Sequence, residues 1–427
     1  MTRARSAPSL HALRRDLARR AAAPEDAPQG LPGSFYTDPG LFDHEAETVL
    51  RGGWHCVGRS DELEGVGDFL TLRLLGEPVV VVRAQDGLKA LSNVCRHRGM
   101  PLAEGSGTVK RFICAYHAWS YGLDGALLRA PRMRNAGFDP KSCRLPQFAC
   151  AERFGFIYVS IADAPPDLDV QLAGLDALIA AYEPARYRIR HAAVEIWRTN
   201  WKSLVENFME GYHLSVVHPE TLHGYTPTGL CGKGPSGPGY TSYLANYPDE
   251  APGRGLGAAG LDAEARRRST LFAAFPCQVV SVAASLLVSL SLRPLDADAV
   301  EVRWTLSVFE DELDDETVAA RVALWEEVNR EDREKLEAMQ QALSSVHADG
   351  GPLAGPDYEG TVRDFLLWLA REDAARTPPG ASDAPPPLAE PDEIAAPGPA
   401  AWRSAAQAGG EDAALWEDDH EPARRAG

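Results

Sequence analysis

The apolar positions of this chain change their period part-way along. Over residues 69–161 they alternate with polar ones or run in short blocks, as in "DFLTLRLLGEPVVVVRAQDGLKALSNV" and "FGFIYVSI". That pattern predicts strands, with "GEP" and "QDG" as the turns between them. After Pro165 the character shifts. "DVQLAGLDALIAAY" predicts a helix, "AAVEIWRTNW" a strand, and "NWKSLVENFMEGYHLSVVHP" a helix stopping by Pro219. Further strands are expected over 277–292 and 300–309, and two closing helices over 316–345 and 360–375. The Gly/Pro-rich stretch 226–257 reads as a long loop. The expected fold class is α+β, a small all-β domain followed by an α+β domain. Four segments follow: an extension (1–30), the β domain with its N-terminal segment (31–165), the second domain (166–376) and a tail (377–427).

One helix pattern is informative in itself. Val318, Val322, Trp325, Asn329, Asp332, Leu336, Met339 and Leu343 follow a 4-3-4-3 rhythm that predicts one buried stripe. Asp332 sits inside that stripe, while Glu331, Glu334 and Glu337 lie off it. A buried aspartate needs a metal or a cation as partner.

Composition narrows the classes. Hydrophobic content of 44% and charged content of 24% are those of a soluble globular protein. The longest charge-free apolar run, 278–292, is 15 residues, short of the roughly 20 that span a bilayer. No membrane role is expected, and no secretory signal is visible. The start, "MTRARSAPSLHALRRDLARR", is Arg-rich; it reads as a surface helix or frayed terminus, with a transit segment as the alternative. A net charge of −18 argues against nucleic acid. The Pro/Ala-rich tail holds ten acidic and three basic residues of that balance, and is expected to be disordered. Seven cysteines without framework spacing point to a reducing, cytoplasmic compartment and to metal rather than disulfides.

Two short loops carry the first constellation. "CRHRG" offers Cys95 and His97, and "CAYHAW" offers Cys114 and His117, with sixteen residues between His97 and Cys114. A structural zinc site takes the same ligand types. Zinc fingers, however, usually pair Cys with Cys and His with His, whereas each loop here is mixed. The mixed order suits a Rieske [2Fe–2S] centre, with two thiolates on one iron and two imidazoles on the other. Cys56, Cys143, Cys150, Cys231 and Cys277 lack partners at ligand spacing and read as small hydrophobes.

The second constellation lies in "ENFMEGYHLSVVHP", which sets Glu210, His213 and His218 among apolar residues. Five residues apart, the histidines miss a common helix face by about 140°, so the helix must loosen or end there. Two imidazoles and one carboxylate are the donor set of non-haem Fe(II) oxygenases. Asp332 is the expected carboxylate, with a buried salt bridge as its other reading; Asp364 and then Glu327 are the alternatives. Glu210, three residues before His213, is placed to accept a hydrogen bond from the ring nitrogen that a metal leaves free. Asn207, one turn earlier, is expected to support it.

From about residue 31 to 375 the chain resembles the terminal (alpha) component of the Rieske non-haem iron oxygenases. The resemblance rests on "CRHRG", "CAYHAW", "NWKSLVENFMEGYHLSVVHP" and "NREDREKLEAMQQAL". It implies a Rieske domain joined to a catalytic domain of helix-grip type, an antiparallel sheet with long helices. It places Cys95, His97, Cys114 and His117 on the cluster, and His213, His218 and Asp332 on one mononuclear Fe(II). Glu210 falls on the position of the acid that bridges the two sites between neighbouring subunits of a trimer. A glutamate there is found in the branch that includes choline, carnitine and betaine oxygenases. The resemblance also implies O2 as cosubstrate and NAD(P)H used indirectly, through a flavin and iron–sulfur reductase with or without a ferredoxin. This chain has no G-x-G-x-x-G fingerprint of its own. The expected substrate is a small molecule, an N-methyl or quaternary ammonium compound, with Tyr212, Tyr225, Tyr240, Tyr243 and Tyr247 as a cage for its cation or as ordinary packing. The alternative is arene dioxygenation; outside oxygenases the rivals are an electron-transfer protein and a zinc-stabilised binding module.

Overall fold

The computed structural model describes residues 8–251, 253–310 and 312–376. The expected tail lies outside them. The Arg-rich start forms α1 (Leu10–Ala21), whose first turn is capped by the Ser9 hydroxyl accepting from the Ala12 N–H. Leu13, Leu17 and Ala21, four apart, make its buried face. The helix is held near the C-terminal helix of the described chain by Arg14, whose Nε lies 2.9 Å from Asp373. Short helices α2 (Ser34–Thr37) and α3 (Pro39–Glu45) follow. Leu31, Phe35, Tyr36, Leu41, Val49 and Leu50 pack into the same core as the helices of the second unit described below. By packing, the β unit therefore starts at β1 (His55–Arg59) rather than at residue 31.

Its strands are β1, β2 (Asp68–Leu74), β3 (Glu77–Ala84), β4 (Gly87–Ser92), β5 (Ser106–Thr108), β9 (Gln147–Arg153) and β10 (Phe156–Ser160). They form one antiparallel sheet in the order β1-β10-β9-β4-β3-β2-β5. A smaller sheet of β6 (Phe112–Ile113), β7 (Ser120–Tyr121) and β8 (Leu127–Arg129) closes one side. The run of four valines in β3 shows why a strand buried on both faces need not alternate. Val80 and Val82 face a core with Cys95, Phe112, Cys114 and Trp119, while Val79 and Val81 face one with Val57, Leu74 and Ile157.

The second unit is a seven-stranded antiparallel sheet, β11-β17-β16-β15-β14-β13-β12. Its strands are β11 (Tyr187–Trp197), β12 (Cys231–Lys233), β13 (Tyr240–Asn246), β14 (Arg268–Ala274), β15 (Gln278–Val282), β16 (Leu286–Asp296) and β17 (Ala299–Phe309). The stretch expected to be a loop over 226–257 thus supplies two strands: its Gly and Pro residues flank the strand "YTSYLAN". The helix expected after Pro165 is split into α4 (Leu168–Gln171) and α5 (Leu175–Ile179) at Gly174, where φ is 91°.

One face of this sheet is covered by α6 (Trp201–Phe208), α8 (Asp315–Ala342) and α9 (Pro356–Arg376), through Trp201, Trp325, Phe365 and Trp368 against Leu290 and Trp304. The other face is covered by α5 and by Phe156 and Tyr158 of the first unit. Tyr158 donates to Gln278 across that boundary at 2.6 Å. The architecture is α+β as expected, and no helix among the described residues is long and apolar enough to cross a membrane.

The stripe on α8 departs from its expected rhythm near the end. Val318, Trp325, Asn329, Asp332 and Leu336 are buried, but Met339 is exposed and Gln340 takes its place. A repeat of 3.5 drifts about 20° per heptad on a 3.6-residue helix, so the buried line walks off a strict 4-3 register.

Candidate metal centres

The two mixed loops are built alike. The Cys95 N–H donates to the Met100 carbonyl at 2.9 Å and Gly99 N–H back to Cys95 at 3.0 Å. In the other loop, Cys114 N–H donates to Trp119 at 2.8 Å and Ala118 N–H to Cys114 at 3.0 Å. Gly99 and Ala118 hold matching positions, with φ of 79° and 57°. Each turn sends its cysteine inward and its histidine outward. Cys95 and Cys114 are each 2% exposed, while the His97 and His117 rings meet at the rim with Nδ1 atoms 3.2 Å apart. Trp119 stacks on His97 at 4.9 Å. Burial pushes the Cys95 thiol up, and the Tyr121 hydroxyl, 3.4 Å from its sulfur, works against that. Tyr121 was not singled out by spacing; its tie to the loop is that its hydroxyl also accepts from Arg96 N–H at 3.0 Å.

The four candidate ligands keep two thiols inside and two imidazoles at the rim. Among the described residues, the only group of three or more whose donor atoms all lie within 4.8 Å of one another is His213, His218 and Asp332. Four ligands of one tetrahedral zinc would meet that condition, so the Cys/His set fits a larger two-iron cluster better.

The second centre arises where α6 ends. Asn200 caps its start, its side chain accepting from Lys202 N–H. The helix stops at Phe208, before Glu210 and Gly211 rather than at His218. A four-residue helix, α7 (Leu214–Val217), then separates the two histidines. This break brings both imidazoles toward Asp332, which α8 carries from more than a hundred residues away. Asp332 Oδ1 lies 3.6 Å from His213 Nε2 and 3.1 Å from His218 Nε2. Both Nε2 atoms are buried and make no hydrogen bond among the described residues. Two orphaned ring nitrogens aimed at one carboxylate are costly unless a cation completes the set, and this donor set suits Fe(II).

The opposite ring nitrogens are each held by an acid. His213 Nδ1 is 2.5 Å from Glu210 Oε1, and Glu210 Oε2 accepts from the backbone N–H of Tyr212 and His213. His218 Nδ1 is 2.7 Å from Glu331 Oε2, which also accepts from the Thr221 hydroxyl at 2.7 Å. Burial would lower the His213 pKa, but Glu210 and then Asp332 outweigh it and raise it. Asn207 donates to Asp332 at 3.3 Å, not to Glu210 as expected.

Glu331 lies off the expected stripe; the signal for it in the sequence is its position next to Asp332, at the edge of the same helix face. Asp364 is drawn away to Lys233 at 3.0 Å and Thr241 at 2.8 Å, and Glu327 pairs with Arg330. Of the five tyrosines, Tyr243 is buried close enough for Glu210 and Asp332 to act on it, and Tyr240 packs in the second core. Tyr212 is half exposed, and Tyr225 and Tyr247 face the guanidinium of Arg254.

Comparison with known proteins matches residues 53–149 to the Rieske [2Fe-2S] domain and residues 182–372 to the ring hydroxylating alpha subunit catalytic domain. Over 194 residues the chain is 39% identical to the carnitine monooxygenase oxygenase subunit of Escherichia coli (strain K12), covering 44% of this chain and 52% of that protein. It is 38% identical over 195 residues to the glycine betaine monooxygenase oxygenase subunit of Chromohalobacter salexigens, covering 45% and 44%. The matched part spans about half the length of these curated relatives. Its fold is similar to a quaternary ammonium Rieske monooxygenase solved with L-carnitine, with TM-score 0.73, 24% identity and coverage of 83% and 98%. It is also similar to naphthalene 1,2-dioxygenase from Rhodococcus sp., with TM-score 0.71, 19% identity and coverage of 82% and 95%.

Proposed function

We propose that this chain, which joins a Rieske [2Fe-2S] domain to a ring-hydroxylating alpha-subunit catalytic domain and so belongs to the Rieske non-haem iron oxygenases, is the terminal oxygenase of a multicomponent system. It uses O2 to hydroxylate an N-methyl group of a small quaternary ammonium compound. The observation that carries this reading is the pair of buried Nε2 atoms that converge on Asp332 and make no hydrogen bond among the described residues. The likeness to carnitine and glycine betaine monooxygenase subunits supports the substrate class.

In this reading Cys95, Cys114, His97 and His117 hold the cluster, and His213, His218 and Asp332 hold the mononuclear iron. When bound, the first supplies electrons one at a time and the second binds and activates O2. The chain's own contribution is orientation. Glu210 fixes the Nδ1 proton of His213 and Glu331 that of His218, so both Nε2 lone pairs face the same point. Asn207 turns Asp332 toward that point. Glu210 still has lone pairs beyond its three bonds, which suits it to link the two metal sites across a subunit boundary. The exposed His97–His117 rim suits it to be the side met by that neighbour. A homotrimer, a cytoplasmic location and a flavin and iron–sulfur reductase fed by NAD(P)H complete the proposal.

The test is substrate-dependent oxygen uptake by the metal-loaded protein with a supplied reductase. Formaldehyde released from a quaternary ammonium compound supports the reading. A cis-diol from an arene would replace it with ring dioxygenation, and no uptake with any substrate would leave an electron carrier.

A further inference from the structure

A cavity of about 200 Å³ opens beside residues 253–255, lined by Arg254, Gly255, Ser285, Leu313, Thr317 and Arg321. Arg254 is 7% exposed, and its Nε and Nη2 atoms are buried with no hydrogen-bond partner among the described residues. Its guanidinium lies 4.4 Å from the Tyr225 ring centroid and 5.2 Å from that of Tyr247. The Arg321 guanidinium comes within 5.9 Å of the same Tyr225 ring. The carboxylate on the neighbouring turn, Glu312, is taken up by the N–H groups of Leu256 and Gly257 and by the Ser285 hydroxyl.

A buried guanidinium without an anion is expensive. The two aromatic faces offset part of that cost. Burial holds the Arg254 pKa below its usual value, and the charge of Arg321 adds to the effect. No carboxylate lines the cavity among the described residues. The planar fork of arginine matches a carboxylate through two parallel hydrogen bonds, and two arginines at one cavity strengthen that preference.

The place of the cavity separates it from the metal cluster. Arg321 precedes Asp332 by eleven residues on α8, about 16 Å along the axis but only about 20° around it. The cavity and the metal cluster therefore share one helix face, three turns apart. None of the residues lining the cavity belongs to the His213, His218 and Asp332 group.

We propose that Arg254 and Arg321 form a binding site for a small carboxylate, distinct from the metal centre. The carboxylate is either that of a zwitterionic betaine or that of a free organic acid. Calorimetric titration of the metal-loaded full chain with glycine betaine and with acetate separates these sources, with choline as the carboxylate-free control. Binding needs no turnover, so the result does not depend on the reaction proposed above. Arg254→Gln and Arg321→Gln should each weaken the carboxylate probe by about tenfold or more. Arg321 is half-buried, so Arg321→Gln decides the matter if Arg254→Gln fails to fold. Weakening for betaine alone identifies a zwitterion as the ligand; weakening for acetate as well identifies carboxylates in general. The proposal is overturned if neither probe binds, if the folded variants bind as the wild type does, or if choline displaces the bound carboxylate.

Discussion

The two proposed metal centres are put together in opposite ways. The Cys95/His97/Cys114/His117 set comes from two matching turns on one small unit, and its histidines stand at the rim. The His213/His218/Asp332 set is buried and needs α8 to cross the end of α6. Local turns preorganise the first. The second depends on tertiary packing and on two further acids, Glu210 and Glu331, that orient its imidazoles. A ligand set made locally should survive damage to the rest of the chain, whereas one made by distant contacts should fail in steps.

The largest effect expected is at the local site. Cys114→Ala should remove the inorganic sulfide and the visible absorption of the cluster altogether while the mononuclear iron stays bound; loss of both metals together would mean the centres are not independent. Next, Glu210→Gln, assayed with iron in excess so that both sites stay filled, should keep the cluster spectrum unchanged but slow substrate-dependent oxygen uptake about 100-fold. Normal turnover in that variant would remove the bridging role. Glu331→Gln is expected to weaken retention of the mononuclear iron against a chelator by about 10-fold to 100-fold, with the cluster spectrum intact. Equal retention would show that His218 does not rely on its acid.

The smallest effect concerns Glu206, on α6 between the two regions' supports. Burial raises its pKa from 4.5 to about 7, against the hydrogen bond from Tyr36. A carboxyl whose folded pKa lies above its unfolded value binds its proton more tightly when folded. Its contribution to stability is therefore present at low pH and lost as pH rises from 4.5 to about 7. Glu206→Gln removes the ionisation, so the variant should match the wild type at low pH and melt about 2–4 °C higher at pH 8. A gap that is constant with pH, or widens on acidification, would contradict that sign.

Legibility in the sequence followed the same division. Mixed Cys/His loops declare themselves because all four candidate ligands sit in two short strings. His213 and His218 could be paired by the stop at Pro219, and Asp332 by its place in a buried stripe. The partners of these ligands were harder to see. Glu331 falls outside a stripe read at a 3.5 period, which is narrower than the face a packed helix buries. Sequence proximity pairs Asn207 with Glu210, whereas its contact is across space to Asp332. Strands β12 and β13 were hidden by the glycines and prolines around them. The role of Arg254 has no sequence signature, since nothing in "APGRGLG" shows that two tyrosines from other segments will enclose it.

The most direct measurement is the ratio of iron to acid-labile sulfide in the wild type and in Asp332→Ala. A [2Fe–2S] cluster contributes equal amounts of both, so the wild type should carry iron in excess of sulfide by its mononuclear site. Asp332→Ala should bring the two into equality with the cluster spectrum unchanged. Excess iron that survives in Asp332→Ala but disappears in Asp364→Ala, or zinc without sulfide in the wild type, would contradict the account.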